Sequence, residues 1–488
     1  MLIRNISKIR IMLIIVLTCA LAAVLVFSRD TIIGVARTVE HELPLSRIDM
    51  RWREFSSHLP LMVIQSDIQA VYDRHSSKAV IWVFDNGAEN RLTDVATTVF
   101  EAATARARGN TSYAFPKKPL AVKFYDPLLW KPMDYALLGF APASEWVLHS
   151  PYIDKSLLRN WFAYELAATV LDWQPRGTPV QLFLQDGISG MIVYEGVYLL
   201  CEKITPGKAR LDIGQFDLSD SDTIDFEGGG YVFQKDRVTY NYFFTMPNDS
   251  DCHIRYSYPV RDDITVRQNE ALRSEIEFVF GLITRTGKYD GASGDDWNYQ
   301  NYIEADSFID YFLVGEMVRS LDTGVLSTYM YRPVGRKLNM GPLWDCDLSM
   351  GNSDYAYTDY YGFMNIESPI ISSLLDDEEF SIRFVNRWYE LRDSIWSDEE
   401  VFGLFDEMTE YLRAPAAQNA MRWPEVYDGK TYIWPNPKPH TASWEEEIER
   451  TRLWLVNRLR WMDEHMHRLV YESAIDIGDG GDSAGEDK

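Results

Sequence analysis

The sequence predicts an α+β protein: a strand-rich first part, a second strand–helix part and a helical C-terminal part, all behind one apolar N-terminal segment. Three observations predict it. Runs of β-branched and aromatic residues begin at Leu61-Met62-Val63-Ile64 and recur as far as Gly230-Tyr231-Val232-Phe233. From Asp306 the apolar period changes to three and four, the helical spacing. From residue 370 onward the pattern is mainly helical, as in Phe384-Val385-Trp388-Leu391 and Ile448-Leu453-Val456-Leu459.

Composition bounds the function. The chain has 488 residues, 46 % of them hydrophobic, and its 15 Trp, 28 Tyr and 23 Phe are too many for a solvated coil. The net charge of −25 argues against a nucleic-acid partner, because phosphate binding needs a basic surface. It favours basic protein partners through long-range attraction. Four Cys in a chain of this length cannot form a disulfide scaffold.

Taking the elements in order, Ile11 to Ser28 is an uncharged run between Arg10 and Arg29, long enough to span a bilayer as a helix. Arg4, Lys8 and Arg10 precede it and favour a cytoplasmic N-terminus (residues 1–10), with the body outside the cytoplasm. A cleaved signal peptide, with Ala20-Leu21-Ala22 as the cleavage site, is the rival reading; a buried helix is the third. Without residues 1–28 the chain loses three positive charges and no negative ones, so −25 becomes −28. Residues 29–59 read as a juxtamembrane linker, and residues 471–488 as an acidic flexible tail.

Within the body, residues 60–470, Ala79 to Phe84 reads as a strand. Val180 to Leu184 and Met191 to Leu200 read as a hairpin about Asp186-Gly187. Phe308, Ile309, Phe312, Leu313, Met317 and Val318 mark a helix ending near Ser320. A second hairpin follows: Val325 to Tyr331, a turn at Pro333-Val334-Gly335, then Leu338 to Trp344. Residues 366–470 form the helical C-terminal part.

The second hairpin carries the chemistry. Asp322 stands where it begins and Asp345 where it ends, and folding about the turn brings the two ends together, with Asp347 close by. Clustered carboxylates repel unless a cation lies between them, and a few hard oxygen ligands suit Mg²⁺ or Mn²⁺. Phosphoryl transfer needs this set: one carboxylate to accept a hydroxyl proton and another to hold metal on the phosphates. The plainer alternative is a helix-terminating turn at Asp322-Thr323-Gly324, with Asp345 and Asp347 as capping or turn residues.

Several motifs in order are similar to those of the CotH kinase family, atypical protein kinases known from spore-coat proteins. They are Arg108-Gly109-Asn110-Thr111-Ser112 with Pro116 to Phe124, Leu157-Leu158-Arg159-Asn160, Glu195 to Glu202, and Pro342-Leu343-Trp344-Asp345-Cys346-Asp347. Trp388, Arg422 and Trp454 to Trp461 resemble its C-terminal helices. The resemblance implies an atypical, bilobal protein-kinase-like fold and transfer of the γ-phosphate of ATP to Ser or Thr of a protein substrate, with Mg²⁺ or Mn²⁺. It makes Asp322 the catalytic aspartate, and Asp345 and Asp347 the metal-binding pair.

Ser327 stands where the family often has Asn, which puts a second metal site in question, and Thr323 stands where Gly is usual. Arg108, Lys118 and Lys235 are the candidates to hold the triphosphate, each with a plain reading as a strand-end charge. Glu202 either pairs such a lysine or caps its strand. Trp344 either stacks near the nucleotide or fills the core. Gly228-Gly229-Gly230 suits a turn better than a phosphate cradle, and His465 and His467 face different sides of a helix. Two other functions compete: a surface or envelope binding protein of adhesin type on the same scaffold, and a catalytically dead regulatory homologue.

Overall fold

The structure, a computed structural model, describes residue 43 and residues 45–214, 229–238, 244–246, 249–292, 294–354, 359–435 and 440–470. The apolar run Ile11–Ser28 and the acidic tail lie outside the described residues. Among the described residues no helix is long and apolar enough to cross a membrane.

Seven strands close a barrel: β2 (Leu61–Ser66), β3 (Ser77–Phe84), β5 (Thr98–Ala107), β6 (Leu120–Phe124), β7 (Glu145–His149), β8 (Gly177–Asp186) and β9 (Ile192–Glu202). The order is β2-β3-β5-β6-β7-β9-β8, and β8 returns to pair in parallel with β2. β6 shows the period-two logic: Leu120, Val122 and Phe124 are buried while Ala121 and Lys123 are half-buried. With Met62, Ile64, Trp146, Leu182 and Leu200 they fill the barrel. β2 is apolar on both faces because its outer face is also covered.

That cover is the segment expected to be a linker. From Leu43 onward it packs on the barrel: Trp52 and Phe55 lie 4.6 and 4.9 Å from the Tyr194 ring, and β1 (Ser56–Ser57) pairs with β4 (Asn90–Arg91). The segment includes two short 3₁₀ turns, Leu45–Arg47 and Met50–Trp52; Trp52 is buried with Leu43 and Phe55, Leu45 and Ile48 pack against them, and Met50 is exposed.

The β8–β9 hairpin forms with a different turn from the one expected. Strand pairing runs on to Gln185 and Ile192, so Asp186 ends the strand. The left-handed residue is Gly190 (φ 72°), and the Asp186 carboxylate accepts from Ser189 N–H and Oγ. The turn is therefore longer than two residues.

A second sheet has the order β11 (Phe244–Met246), β12 (Asp249–Tyr258), β10 (Tyr231–Lys235), β13 (Thr328–Arg332), β14 (Asn339–Met340). The helices are α1 (Ile68–Tyr72), α2 (Arg159–Ala168), α3 (Val266–Ile283), α4 (Ala305–Val318), α5 (Pro369–Leu375), α6 (Glu378–Arg392), α7 (Asp398–Arg422) and α8 (Trp444–His465). α2 to α8 share one core with this sheet. In α8 only Ile448 and Leu459 of the expected stripe are buried; Leu453 is 61 % exposed. The buried face carries Thr451 and Arg458 as well as Trp454, Leu455 and Met462, and a hydropathy pattern does not register its polar members.

Candidate active site

A cleft of about 300 Å³ lies between the barrel and the second sheet. The barrel side supplies the end of β5, with Arg106, the β5–β6 loop, with Arg108 and Thr111, and the end of β7, with His149 and Ser150 after it. The sheet side supplies Gln234, Asp236, Arg237, Arg255, Asp322, Ser327, Tyr329, Trp344, Asp345 and Asp347.

The hairpin sets the acidic floor. Helix α4 ends in left-handed Arg319, and the chain turns through Asp322, whose carbonyl accepts from Val325 and Leu326 N–H. The left-handed turn residue is Gly324 (φ 77°), where an added Cβ would meet Ser368 at 2.8 Å. Thr323 needs no such conformation: its side chain fills the space left by Gly315 of α4, so the Thr-for-Gly departure is accommodated. β13 and β14 pair Met330 with Met340, which centres the hairpin on Gly335. Its outer ends meet again where Leu321 N–H donates to Leu348 O at 3.1 Å. Asp322, Asp345 and Asp347 thus share one cleft, as the hairpin argument expected.

Helix α2 holds the Asp345 arm. Asn160 and Tyr164, one turn apart, accept the consecutive N–H groups of Cys346 (2.6 Å) and Asp345 (3.3 Å). Arg159, fully buried, donates to the carbonyls of Ser349 and Met350 and pairs with Asp154 and Glu447. The Arg-Asn pair of the sequence is therefore a clamp on the segment after Trp344.

The carboxylates feel each other. Burial first, and the Asp345 charge second, raise Asp322 to about 7. Burial, then the charges of Asp345 and Asp322, raise Asp347 to about 8. Asp345 is raised by burial, against the pull of Arg108 and the hydrogen bond from Ser327. No hydrogen bond reaches the Asp322 carboxylate among the described residues. Among them, too, no three His, Cys, Asp or Glu side chains converge as a ligand set. The donors fit Mg²⁺, which takes one or two carboxylates and completes its shell with phosphate and water.

The basic residues divide differently from the expectation. Arg108 enters the cleft, 5.6 Å from the Trp344 ring. Lys118 does not line it: its Nζ donates to Tyr113 O at 2.6 Å and braces the β5–β6 loop. Its neighbour Lys117 is the buried one, bound to Val197 O and Asn419 Oδ1, and burial lowers it to about 7. Lys235 also faces away. Gln234 pairs with Arg255 of β12 and Tyr329 of β13, so these three form a row on the cleft face. Lys235 is in the next row, on the core side, with Nζ on Gly324 O. Glu202 accepts the Arg176 N–H and so takes the capping role. Gly230 is no phosphate cradle: an added Cβ would lie 2.2 Å from Ile213 O. Trp344 is packed by His149 (4.7 Å) and Tyr164 (5.8 Å), which makes it a wall rather than a free stacking face.

Sequence reasoning missed Gln234, Asp236, Arg237 and Arg255. The alternation around Lys235 and between Ile254 and Tyr256 was a usable signal, once one residue of each strand was known to face the core.

Two structural units sharing a cleft, arginines on its walls and carboxylates on its floor, define a kinase-like protein of mixed α+β class. The chain belongs to the CotH kinase family: the family model, described as CotH kinase protein, matches residues 105–462, which include the whole hairpin and both faces of the cleft. A comparison with curated proteins returns no match.

Proposed function

We propose that the protein is an atypical kinase that transfers the γ-phosphate of ATP to Ser or Thr of a protein substrate, with Mg²⁺ or Mn²⁺. The observation that carries this reading is the pairing of Asp322 and Asp345 on the two arms of one hairpin, facing Arg108 across a single cleft that Arg255 also lines.

In this reading Asp322 orients the attacking hydroxyl and takes its proton. A carboxyl raised to about 7 is matched to that work near neutral pH. Arg108, Arg237 and Arg255 hold the phosphates by charge-assisted hydrogen bonds. Asp345 and Asp347 would hold the cation, which supplies charge neutralisation on the phosphates. Ser327 orients Asp345 through its hydroxyl rather than acting as a full second-metal ligand.

The run Ile11–Ser28 anchors the chain, with the body outside the cytoplasm, and the acidic surface attracts a basic protein substrate. The Ser327 substitution supports a second reading, a non-catalytic homologue working by binding alone. Incubation of the full chain with labelled ATP and either metal decides between them. Phosphorylation that is lost in Asp345→Asn supports the kinase; no nucleotide binding with either metal overturns it.

A further inference from the structure

Three buried polar atoms of cleft-lining residues have no hydrogen-bond partner among the described residues: His149 Nε2, Ser150 Oγ and Gln234 Oε1. Buried polar atoms in folded proteins are almost always paired, so three on one cleft point to a ligand. They come from both sides. His149 ends β7 and Ser150 follows it on the barrel side; Gln234 stands in β10, on the facing sheet.

Their chemistry narrows the ligand. Gln234 Nε2 donates to Asp236 Oδ2 at 2.6 Å, which leaves Oε1 as a pure acceptor. Such an atom repels phosphate oxygens and requires an O–H or N–H. The Ser150 hydroxyl donates or accepts, and so does a neutral imidazole nitrogen such as His149 Nε2. One obligate acceptor beside two ambivalent groups complements a pair of hydroxyls. Arg108, Arg237 and Arg255 line the same cleft, so the hydroxyls belong to a molecule that also carries several negative charges. A base stacked on Trp344 does not meet the same need, since His149 and Tyr164 already pack that ring.

We infer that His149, Ser150 and Gln234 read the ribose hydroxyls of the phosphoryl donor, which selects a ribonucleotide over a hydroxyl-free analogue or an inorganic polyphosphate. This rests on the nucleotide reading above and goes further by giving these residues a specificity role.

Titration calorimetry on the full chain with Mn²⁺ tests it, using ADP, 2′,3′-dideoxy-ADP and pyrophosphate. ADP should bind about tenfold more tightly than the dideoxy analogue, the factor expected of one well-formed hydrogen bond. Ser150→Ala and Gln234→Leu should each shrink that ratio while leaving dideoxy-ADP binding unchanged. Ser150→Ala is the milder substitution and carries the test if Gln234→Leu does not fold. Equal binding of ADP and dideoxy-ADP to the unaltered chain overturns the inference and leaves the nucleotide reading standing. So does an equal loss of both ligands in the variants, the mark of a merely structural role. Binding of none of the three ligands overturns both.

Discussion

The Ser327 hydroxyl donates to Asp345 Oδ2 at 2.9 Å, and both residues hold left-handed backbone conformations, φ 46° and 57°. Non-glycine residues in that region cost about 1–3 kcal/mol each, so the surrounding structure must impose them. Here the clamps are the Leu321–Leu348 backbone bond and the two α2 side chains on the Asp345 arm. Asn tolerates the left-handed region better than Ser and keeps a donor for Asp345. Ser327→Asn should therefore preserve or raise Tm, whereas Ser327→Ala should lower stability by about 1 kcal/mol through the lost hydrogen bond. Thermal denaturation of the two variants checks this; a lower Tm for the Asn variant than for the Ala variant would contradict it.

Asp322→Asn and Asp345→Asn should each reduce phosphoryl transfer by about 10²-fold or more, the scale of a lost acid–base or charge-stabilising group. Without metal, the same substitutions should raise Tm, because each removes a buried charge from a set that repels itself. Activity and Tm measured on one preparation separate this trade-off from simple unfolding, in which both fall.

Arg108 and Lys118 are ten residues apart and were equal candidates in the sequence. Arg108→Ala should weaken nucleotide binding about tenfold or more, as expected for a lost charge-assisted hydrogen bond. Lys118→Ala should leave it within about twofold, since its ammonium is engaged by Tyr113 O. Calorimetric titration with ADP ranks them, and the reverse order would return Lys118 to the site.

Asp322 near 7 and Asp347 near 8 stand well above their ordinary value of 3.8. Between those values the folded chain holds protons that the unfolded chain has released. These two groups therefore favour folding most at low pH, and their contribution is lost as pH rises from about 4 to about 8. In the presence of a chelator, Tm should fall across that window, and Asp347→Asn should flatten the fall. Added Mg²⁺ or Mn²⁺ should raise Tm more at pH 8 than at pH 5, because it binds the ionised forms. A chelated wild-type curve no steeper than that of Asp347→Asn would rule the repulsion out.

Glu316 and Arg458 form an ion pair with both side chains 0 % exposed. The Glu316 carboxylate also accepts the N–H groups of Met364, Asn365 and Ile366, while Arg458 reaches the carbonyls of Glu316, Tyr360 and Gly362. The pair ties α8 to the helix that leads into Asp322. Arg458→Met should cost about 3–5 kcal/mol by leaving a buried carboxylate uncompensated. Adding Glu316→Gln should then cost less than the two single changes together, as urea denaturation of the set will measure.

Much of the hairpin and of the helical elements was legible because each depends on short-range pattern. The period of α4, the second hairpin and its junction residues Asp322 and Asp345 follow from residues within about one turn or one strand of each other. The β8–β9 turn was misplaced by a few residues because Asp186-Gly187 looks like a two-residue turn, whereas Gly190 carries the left-handed conformation. The packing of Trp52 and Phe55 was not legible, since their partners Phe183 and Tyr194 lie well over a hundred residues away.

By itself, the sequence determined the family, the α+β class and the acidic hairpin, and it offered Arg108, Lys118 and Lys235 alike as phosphate ligands. Tertiary structure alone decided which basic residues reach the cleft. Lys118 braces its own loop while its neighbour Lys117 is buried in the core, and Lys235 faces the core while its neighbour Gln234 lines the cleft. Alternation fixes a strand's period but leaves its phase open. The phase is set by what the strand packs against: in β10 the Gln234 row, with Arg255 and Tyr329 beside it, faces the cleft, and the Lys235 row faces the helical core.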